Sequence, residues 1–396
     1  MPAGKALFRM IQQNQYLLDF SLGLINRTGA YHVCKDLLHE LPGYFPEVRY
    51  WRILRREVPD GVLRKIAGRL MLHEIGLLRD RPMLRWPEGR AVPGRRRLFL
   101  DPLYVLRAQL DRDDIVLCHD IGPVSHPELF GEHRFQIYSA AYEKIRQVGP
   151  GMVFVSDASQ AAFRARFGEN FRFFQTVAQY VRPGIMEGAT EPVPGVTQPF
   201  LLTVGALEPR KNYPRVMEAY RRSGLHERGV SYVFCGARGD SAREIVEQAE
   251  RTPGVSALGY VSEPQLRWLY QNSCGFVLPS LLEGFGLPLI EAAQRGLAAL
   301  ASGGSAQEEA IGGAAILVDP TSTESVMEGM LRLVELSAAE RQALVERAVR
   351  RGQTLPYERY IAGWDKVLAR NDRFEATDGW AASDPEEKGA LQPLLS

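Results

Sequence analysis

Cysteine, histidine and net charge are all scarce in this chain. Its four cysteines, Cys34, Cys118, Cys235 and Cys274, are spread over 396 residues, too far apart for a paired metal motif and too few for a disulfide framework. They read as reduced core thiols, which makes the cytoplasm the expected compartment. Seven histidines argue against a metal-rich chain. Lys and Arg total 48 against 47 Asp and Glu, a net charge of +1, so no overall field draws the protein to nucleic acid. No run approaches the roughly 18 to 20 apolar residues that span a bilayer, so any membrane contact is expected to be peripheral. The opening MPAGKALFRMIQQNQ has too short an apolar stretch for a signal peptide. Short repeats and low-complexity blocks are missing too, as is a GxGxxG dinucleotide fingerprint between a strand and a helix.

What is present is the composition of a large globular protein, 45% hydrophobic and 24% charged. A chain of this length exceeds one ordinary core, and two domains are expected. Strand-like apolar runs alternate with helical patterns, the order of parallel sheets with crossover helices. The first half offers strands at Tyr16 to Phe20, Val48 to Ile53, Ile115 to Cys118 and Met152 to Val155. Amphipathic stretches lie between them at Tyr31 to Glu40 and Phe135 to Arg146. The second half offers Phe200 to Val204, Tyr232 to Cys235, Cys274 to Leu278 and Ala298 to Ala301. Its helices are expected near Tyr213 to Ser223, Ser241 to Arg251, Pro264 to Asn272, Pro288 to Arg295 and Thr323 to Leu336. Four prolines between Pro183 and Pro199 suit neither sheet. The expected organisation is a first α/β domain over 1–183, a linker over 184–198 and a second α/β domain over 199–356. A helix over 357–370 and a mobile acidic tail over 371–396 follow. Two such units place a ligand cleft between them, at the carboxyl ends of the strands.

Four segments carry chemistry. Glu283-Gly-Phe-Gly-Leu-Pro-Leu-Ile-Glu291 follows a strand-like run. Its glycines let backbone N–H groups approach a ligand, and a helix opening near Pro288 aims its positive end at an anion. Glu283 on the loop and Glu291 on the helix can hold two ends of one polar ligand. Val204-Gly-Ala-Leu-Glu-Pro-Arg-Lys-Asn212 ends another strand, and Arg210 and Lys211 there can neutralise a diphosphate, Arg as a fork and Lys as a compact charge. His119-Asp120 follows Ile115 to Cys118, where a histidine facing a cleft can hydrogen-bond a sugar hydroxyl and stabilise a departing group. Asn26 to Tyr31, with Gly29, follows the first strand. On its residues alone it reads as a strand-to-helix turn.

Asp111-Arg-Asp113 has the spacing of a metal-binding triplet but precedes a strand, and it reads as a solvated turn. From Trp51 to Leu100 there are thirteen Arg and Lys against five Asp and Glu, a local charge of +8. Within it, Val62 to Leu78 mixes Leu, Ile and Met with Arg and Lys at helical spacing. Such a helix either lies on an anionic membrane face or is a solvated surface helix. Its aromatic residues are not interleaved as base platforms, so nucleic acid is not an expected partner.

The Glu, seven residues, Glu pattern on a GFG loop resembles the nucleotide-sugar signature of the retaining glycosyltransferase family 4, and Glu208-Pro-Arg-Lys-Asn212 is similar to that family's phosphate-binding segment. The resemblance implies the GT-B fold, α/β with two Rossmann-like doubly wound domains facing across a cleft, the last helix crossing back to the first domain. It also implies transfer of a hexose from a nucleoside diphosphate sugar to a hydroxyl of a glycan or lipid-linked acceptor in cell-surface polysaccharide biosynthesis, with configuration retained and without a bound metal or other cofactor. Lys211 and Arg210 would hold the diphosphate, helped by amides of Gly205, Gly284, Phe285, Gly286 and Leu287. Glu283 would bind sugar hydroxyls, Glu291 the ribose, and His119 would face the donor sugar, with Gly29 near the donor phosphate. The arginine that the family usually places just after the glycine is Ala206 here, and Arg210 is the candidate to fill its role. His119-Asp120 and EPRKN are similar to the mannosyltransferase-like branch and lean toward a GDP-sugar. Two rivals are a sugar-nucleotide epimerase of similar architecture and a silent nucleotide-sugar-binding component of an assembly complex. The expected location is the cytoplasm, at the inner face of the membrane if residues 51–100 bind lipid.

Overall fold

The computed structural model describes residues 15–25, 29–80, 96–180 and 187–370. The tail expected over 371–396, the opening fifteen residues apart from Gln15, the Asn26 to Thr28 turn, and parts of the basic segment and linker (81–95 and 181–186) lie outside the described residues.

Two sheets organise the chain. The first runs β3-β2-β1-β4-β5-β6-β7, built from β1 (Tyr16–Asp19), β2 (Glu47–Tyr50), β3 (Ile53–Leu54), β4 (Arg96–Phe99), β5 (Ile115–Cys118), β6 (Gly151–Phe154) and β7 (Phe173–Thr176). Only β3 is antiparallel to its neighbour in this sheet. Its helices are α1 (Gly29–Glu40), α2 (Gly61–Asp80), the short α3 (Gly122–Ser125) and α4 (Pro127–Phe130), then α5 (Glu132–Val148) and α6 (Asp157–Phe167). The second sheet, β10-β9-β8-β11-β12-β13, is parallel throughout. It contains β8 (Phe200–Val204), β9 (Ser231–Cys235), β10 (Val255–Ala257), β11 (Gly275–Leu278), β12 (Ala299–Ser302) and β13 (Ile316–Val318). Helices α7 (Tyr213–Arg222), α8 (Ala242–Glu250), α9 (Glu263–Asn272), α10 (Leu287–Gln294), α11 (Ala306–Ile311) and α12 (Thr323–Glu335) accompany it, before α13 (Ala338–Gln353) and α14 (Tyr357–Leu368).

A parallel sheet is covered on both faces, so its inner strands are near-continuous apolar runs. Ile115–Cys118 and Gly275–Leu278 are buried at every position. In the second sheet the strand order reverses between β8 and β11, the switch point where loops from two neighbouring strands diverge and leave a crevice. Gly205 to Lys211 and Ser280 to Gly286 are the loops that leave there. The fold is α/β with two Rossmann-like domains, as the sequence led one to expect.

One strand assignment is corrected. Val48 to Ile53 is not continuous, because Trp51 adopts φ 57° and turns the chain into a tight hairpin, with Tyr50 opposite Ile53. Helix α14 lies against the first domain: Tyr44 Oη donates to Asp365 Oδ1 at 2.8 Å, and the Tyr180 and Tyr360 rings meet at 4.7 Å.

Candidate active site

The loops at the switch point bring Lys211, Arg210 and Glu283 into one buried cluster. Pro209–Lys211 forms a single tight helical turn, and Asn212 follows it with φ 65°. Asn212 Nδ2 donates to the carbonyls of Pro279 (3.0 Å) and Pro320 (2.7 Å), fastening this turn to the ends of β11 and β13. Leu281 N donates to Arg210 O at 2.8 Å, which holds the two loops side by side. Lys211 Nζ consequently meets Glu283 Oε1, and Arg210 Nη1 donates to Glu283 Oε2 at 3.1 Å. Ser280 Oγ adds a bond to Glu283 Oε1 at 2.9 Å, and Arg210 Nε donates to Glu208 Oε2 at 2.7 Å.

The side chains of Lys211 and Glu283 are only 6% and 8% exposed, so neither charge is stable there alone. Burial pushes the Glu283 carboxyl toward its neutral form, but the charges of Lys211 and Arg210 outweigh it and hold the pKa below the usual carboxylate value. Burial likewise opposes the Arg210 charge, and Glu283, Glu208 and Asp120 more than compensate. Burial also presses the Lys211 ammonium below its usual value, with Glu283 pulling the other way. Arg210, Lys211 and the ionised Glu283 therefore form one coupled charge group at the crevice. Gly205 lies under this group, its Cα side 3.3 Å from Lys211 Cε by the position a Cβ would take, and its carbonyl accepts from Tyr213 Oη at 2.7 Å.

The glycine loop comes next. Gly286, with φ 104°, caps α10, and Phe285 is buried behind it. Leu287 opens the helix; Pro288 after it has no N–H and Leu289 N donates to Gly286 O at 2.9 Å, so Leu287 N is the first-turn amide left to face the loop side. Glu291 is on the same helix, where Tyr270 Oη of α9 donates to its Oε2 at 2.9 Å. This orients the carboxylate from behind.

The first domain closes over the loop. A Cβ on Gly284 would stand 2.5 Å from His119 O and 3.5 Å from Asp120 Oδ2, so the His119-Asp120 turn rests directly on Gly284. Ser156 Oγ donates to Gly284 O at 2.7 Å, and Ser159 Oγ donates to His119 O at 3.0 Å. The His119 ring is pressed toward its neutral form by burial, against the opposing pull of Asp120 and a bond with the Leu100 backbone, and its Nε2 is buried without a hydrogen-bond partner. Behind it, burial pushes the Asp101 carboxyl up to about 6, while Tyr138 Oη donates to it at 3.2 Å.

Of the residues singled out in sequence, His119, Gly205, Arg210, Lys211, Glu283, Gly284, Phe285, Gly286 and Leu287 stand together, with Glu291 on the adjoining helix. Gly29 opens α1 beyond the end of β1, but the Asn26 to Thr28 turn before it lies outside the described residues. Asp111 and Asp113 are exposed at the opposite, amino-terminal edge of β5, where Asp113 N donates to Asp111 Oδ1 at 3.1 Å. Sequence reasoning missed Ser280, Glu208, Asn212, Ser156 and Glu309. Glu208 and Asn212 flank Arg210 and Lys211 in the same motif and were legible there. Glu309 was not: it reaches from α11 to the backbone amides of Asp157 (2.9 Å) and Ala158 (2.8 Å) in the other domain.

The chain is similar to known proteins over part of its length. Residues 191–351 match the family model described as Glycosyl transferases group 1. The chain is 26% identical over 249 residues to O-antigen chain mannosyltransferase B of Escherichia coli, covering 60% of this chain and 65% of that protein. It is 26% identical over 243 residues to the serotype-specific mannosyltransferase WbdA of Escherichia coli, covering 54% of this chain and 28% of that protein. The chain thus spans less than two thirds of the length of either relative. Among solved structures, the E. coli trehalose-6-phosphate structure bound with UDP-2-fluoro glucose superimposes with a TM-score of 0.58 at 15% identity, over 79% of this chain and 80% of that one. Sucrose-phosphate synthase from Thermosynechococcus elongatus gives a TM-score of 0.56 at 17% identity, over 69% and 72%. The chain accordingly carries the glycosyl transferases group 1 pattern over residues 191–351, on a GT-B fold.

Proposed function

We propose that this protein is a retaining glycosyltransferase that moves a hexose, mannose in first place, from a nucleoside diphosphate sugar to a hydroxyl of a glycan or lipid-linked acceptor in cell-surface polysaccharide assembly. The observation that carries the reading is the Lys211, Arg210 and Glu283 cluster beside the Gly284–Leu287 loop, with the His119-Asp120 turn of the other domain resting on Gly284. The group 1 family match and the two mannosyltransferase relatives support the transferase class and the sugar.

In this reading the diphosphate meets Lys211 and Arg210 and amides of the Gly284–Leu287 loop. These charges are fixed before the reaction, so they stabilise the departing phosphate at little reorganisation cost. Glu283, kept ionised by the same cations, accepts hydrogen bonds from hydroxyls of the donor sugar. Glu291, braced by Tyr270, accepts from the ribose. The neutral His119 imidazole directs its unpartnered Nε2 to the donor sugar. No side chain is assigned as a nucleophile: the acceptor hydroxyl attacks on the face that the leaving phosphate vacates and gives its proton to that phosphate, so configuration is retained. Because two protein cations neutralise the diphosphate, transfer is expected to proceed without added divalent metal.

The test is transfer from a panel of nucleoside diphosphate sugars, GDP-mannose first, to mannose-terminated oligosaccharides, with and without EDTA, and NMR assignment of the new anomeric bond. A retained α-linkage made in EDTA supports the reading; an inverted product would overturn the mechanism. Donor consumed without acceptor would point to an epimerase. Nucleotide binding without turnover of any donor would point to a silent binding component.

A further inference from the structure

Helix α2 has two apolar faces, and the protein uses only one of them. Ala67, Met71 and Ile75 point into the first domain and are buried. Beside this buried face, Leu63, Ile66, Leu70 and Leu77 follow one another at spacings of three, four and seven, which sets them along a single stripe. They are 76%, 49%, 51% and 45% exposed. Of the ten exposed large apolar side chains among the described residues, six are on this helix. Scattered exposed leucines need no explanation, but a continuous stripe does.

The charges on the same helix identify what fits it. From Gly61 to His73 it carries Arg64, Lys65 and Arg69 and no carboxylate. Lys65 and Arg69 are exposed and lie along one side of the stripe. Glu74, the first acid, is turned toward Arg52, whose Nη2 donates to it at 2.7 Å. Aliphatic residues flanked by long cationic side chains match the boundary of an anionic bilayer, where the chains enter the acyl layer and the cations reach the headgroups. A protein partner would more often find aromatic residues and few lysines, and α2 has no Phe, Tyr or Trp.

The geometry points to the outer face of α2 as a docking surface for an anionic lipid bilayer. The helix lies in the interface plane and does not cross it. Its amino-terminal half is seated on the chain that leaves β1: Arg64 Nη1 donates to Leu24 O at 2.9 Å, and a Cβ on Gly68 would stand 3.1 Å from both Leu24 O and Ile25 Cγ2. Docking there sets the carboxyl edge of the first sheet, the edge that faces the cleft, beside the bilayer surface.

Co-sedimentation of the full chain with vesicles tests this, and it uses no nucleotide sugar, so its outcome is independent of the transferase reading. The expected result is binding to phosphatidylglycerol-containing vesicles, weak binding to pure phosphatidylcholine, and release by salt. Lys65→Gln with Arg69→Gln is expected to weaken partition about thirtyfold, from roughly fivefold per cation near an anionic surface. Leu63→Ser, Ile66→Ser and Leu70→Ser together are expected to abolish it while the protein still melts cooperatively, its midpoint lowered by a few degrees, since these side chains are at least about half exposed and Ser is the weaker helix former. Absence of wild-type binding, or full binding by the serine variant, would overturn the proposal. So would a dimer in light scattering that the serine variant dissolves, because the stripe would then belong to a second copy of the chain.

Discussion

At the scale of single residues, the central fact is that Lys211 and Glu283 are each tolerable only because of the other. Removing one member of a buried ion pair leaves an uncompensated charge in a poorly hydrated place, which typically costs more than the pair ever contributed. Lys211→Ala is therefore expected to destabilise the fold by about 3 kcal/mol, the low end of the range for a broken buried pair because Arg210 still faces Glu283. The double variant Lys211→Met, Glu283→Gln is expected to recover most of that loss, and urea denaturation of the two measures it. Equal stability of the single and double variants would show that the pair is not coupled. If Lys211 meets the leaving phosphate as proposed, both variants are expected to lose at least about a hundredfold in kcat. The pH dependence has a definite sign. Glu283 is held below its ordinary value of 4.5, so its contribution to stability is present above that value and is lost as pH falls through the lower folded-state pKa.

At the scale of elements, the GFG loop works by the space it leaves empty. Gly284 has no room for a Cβ, since His119 O already occupies the place at 2.5 Å. Gly284→Ala is expected to keep each domain folded, with a thermal midpoint within a few degrees of wild type, yet to hold the His119 turn off the loop. The measurement is kcat, expected to fall at least tenfold, on the scale of the losses seen when reacting groups are misplaced by about 1 Å; wild-type turnover would show that closure onto Gly284 is not needed. The sequence announced this loop because a strand, two glycines, a proline and two glutamates fall in one short run. It announced β8, β9 and β11 for a related reason: strands buried on both faces are written as unbroken apolar runs. It was silent on β4, where Arg96 and Arg97 open the strand and hide its period, and on β7, β10 and β13, which stand at or next to the sheet ends. The Val48 to Ile53 run looked continuous because composition carries no sign of the left-handed turn at Trp51. For α2, the sequence showed an excess of apolar and basic residues, but only the fold could separate the buried apolar face from the exposed one.

At the scale of the whole molecule, Glu309 makes two of the polar contacts that join the two domains. Its carboxylate accepts from the amides of Asp157 and Ala158, which open α6 and have no partner within their own helix. A carboxylate at a helix amino terminus is also favoured by the helix dipole. No local pattern could reveal this contact, because its two halves are some 150 residues apart and complete each other only when the domains meet. On opening, water replaces these bonds; each is worth about 2 kcal/mol, and burial of the carboxylate, which raises the Glu309 pKa, takes back part of their sum, so the net weight in favour of closure is about 2 kcal/mol. Glu309→Ala is expected to shift the balance between closed and open forms about thirtyfold toward open. Small-angle scattering should then show a larger radius of gyration for the unliganded variant, and donor affinity should weaken by up to the same factor if the closed form is the one that binds. Glu308→Ala is the control, because Glu308 is on the same helix but accepts from Gly304 N inside its own domain at 2.6 Å. Scattering curves that coincide for the two variants would mean that Glu309 does not hold the domains together, and that other contacts, among them Ser156 with Gly284 and the Arg134–Asp240 ion pair, set the closed form.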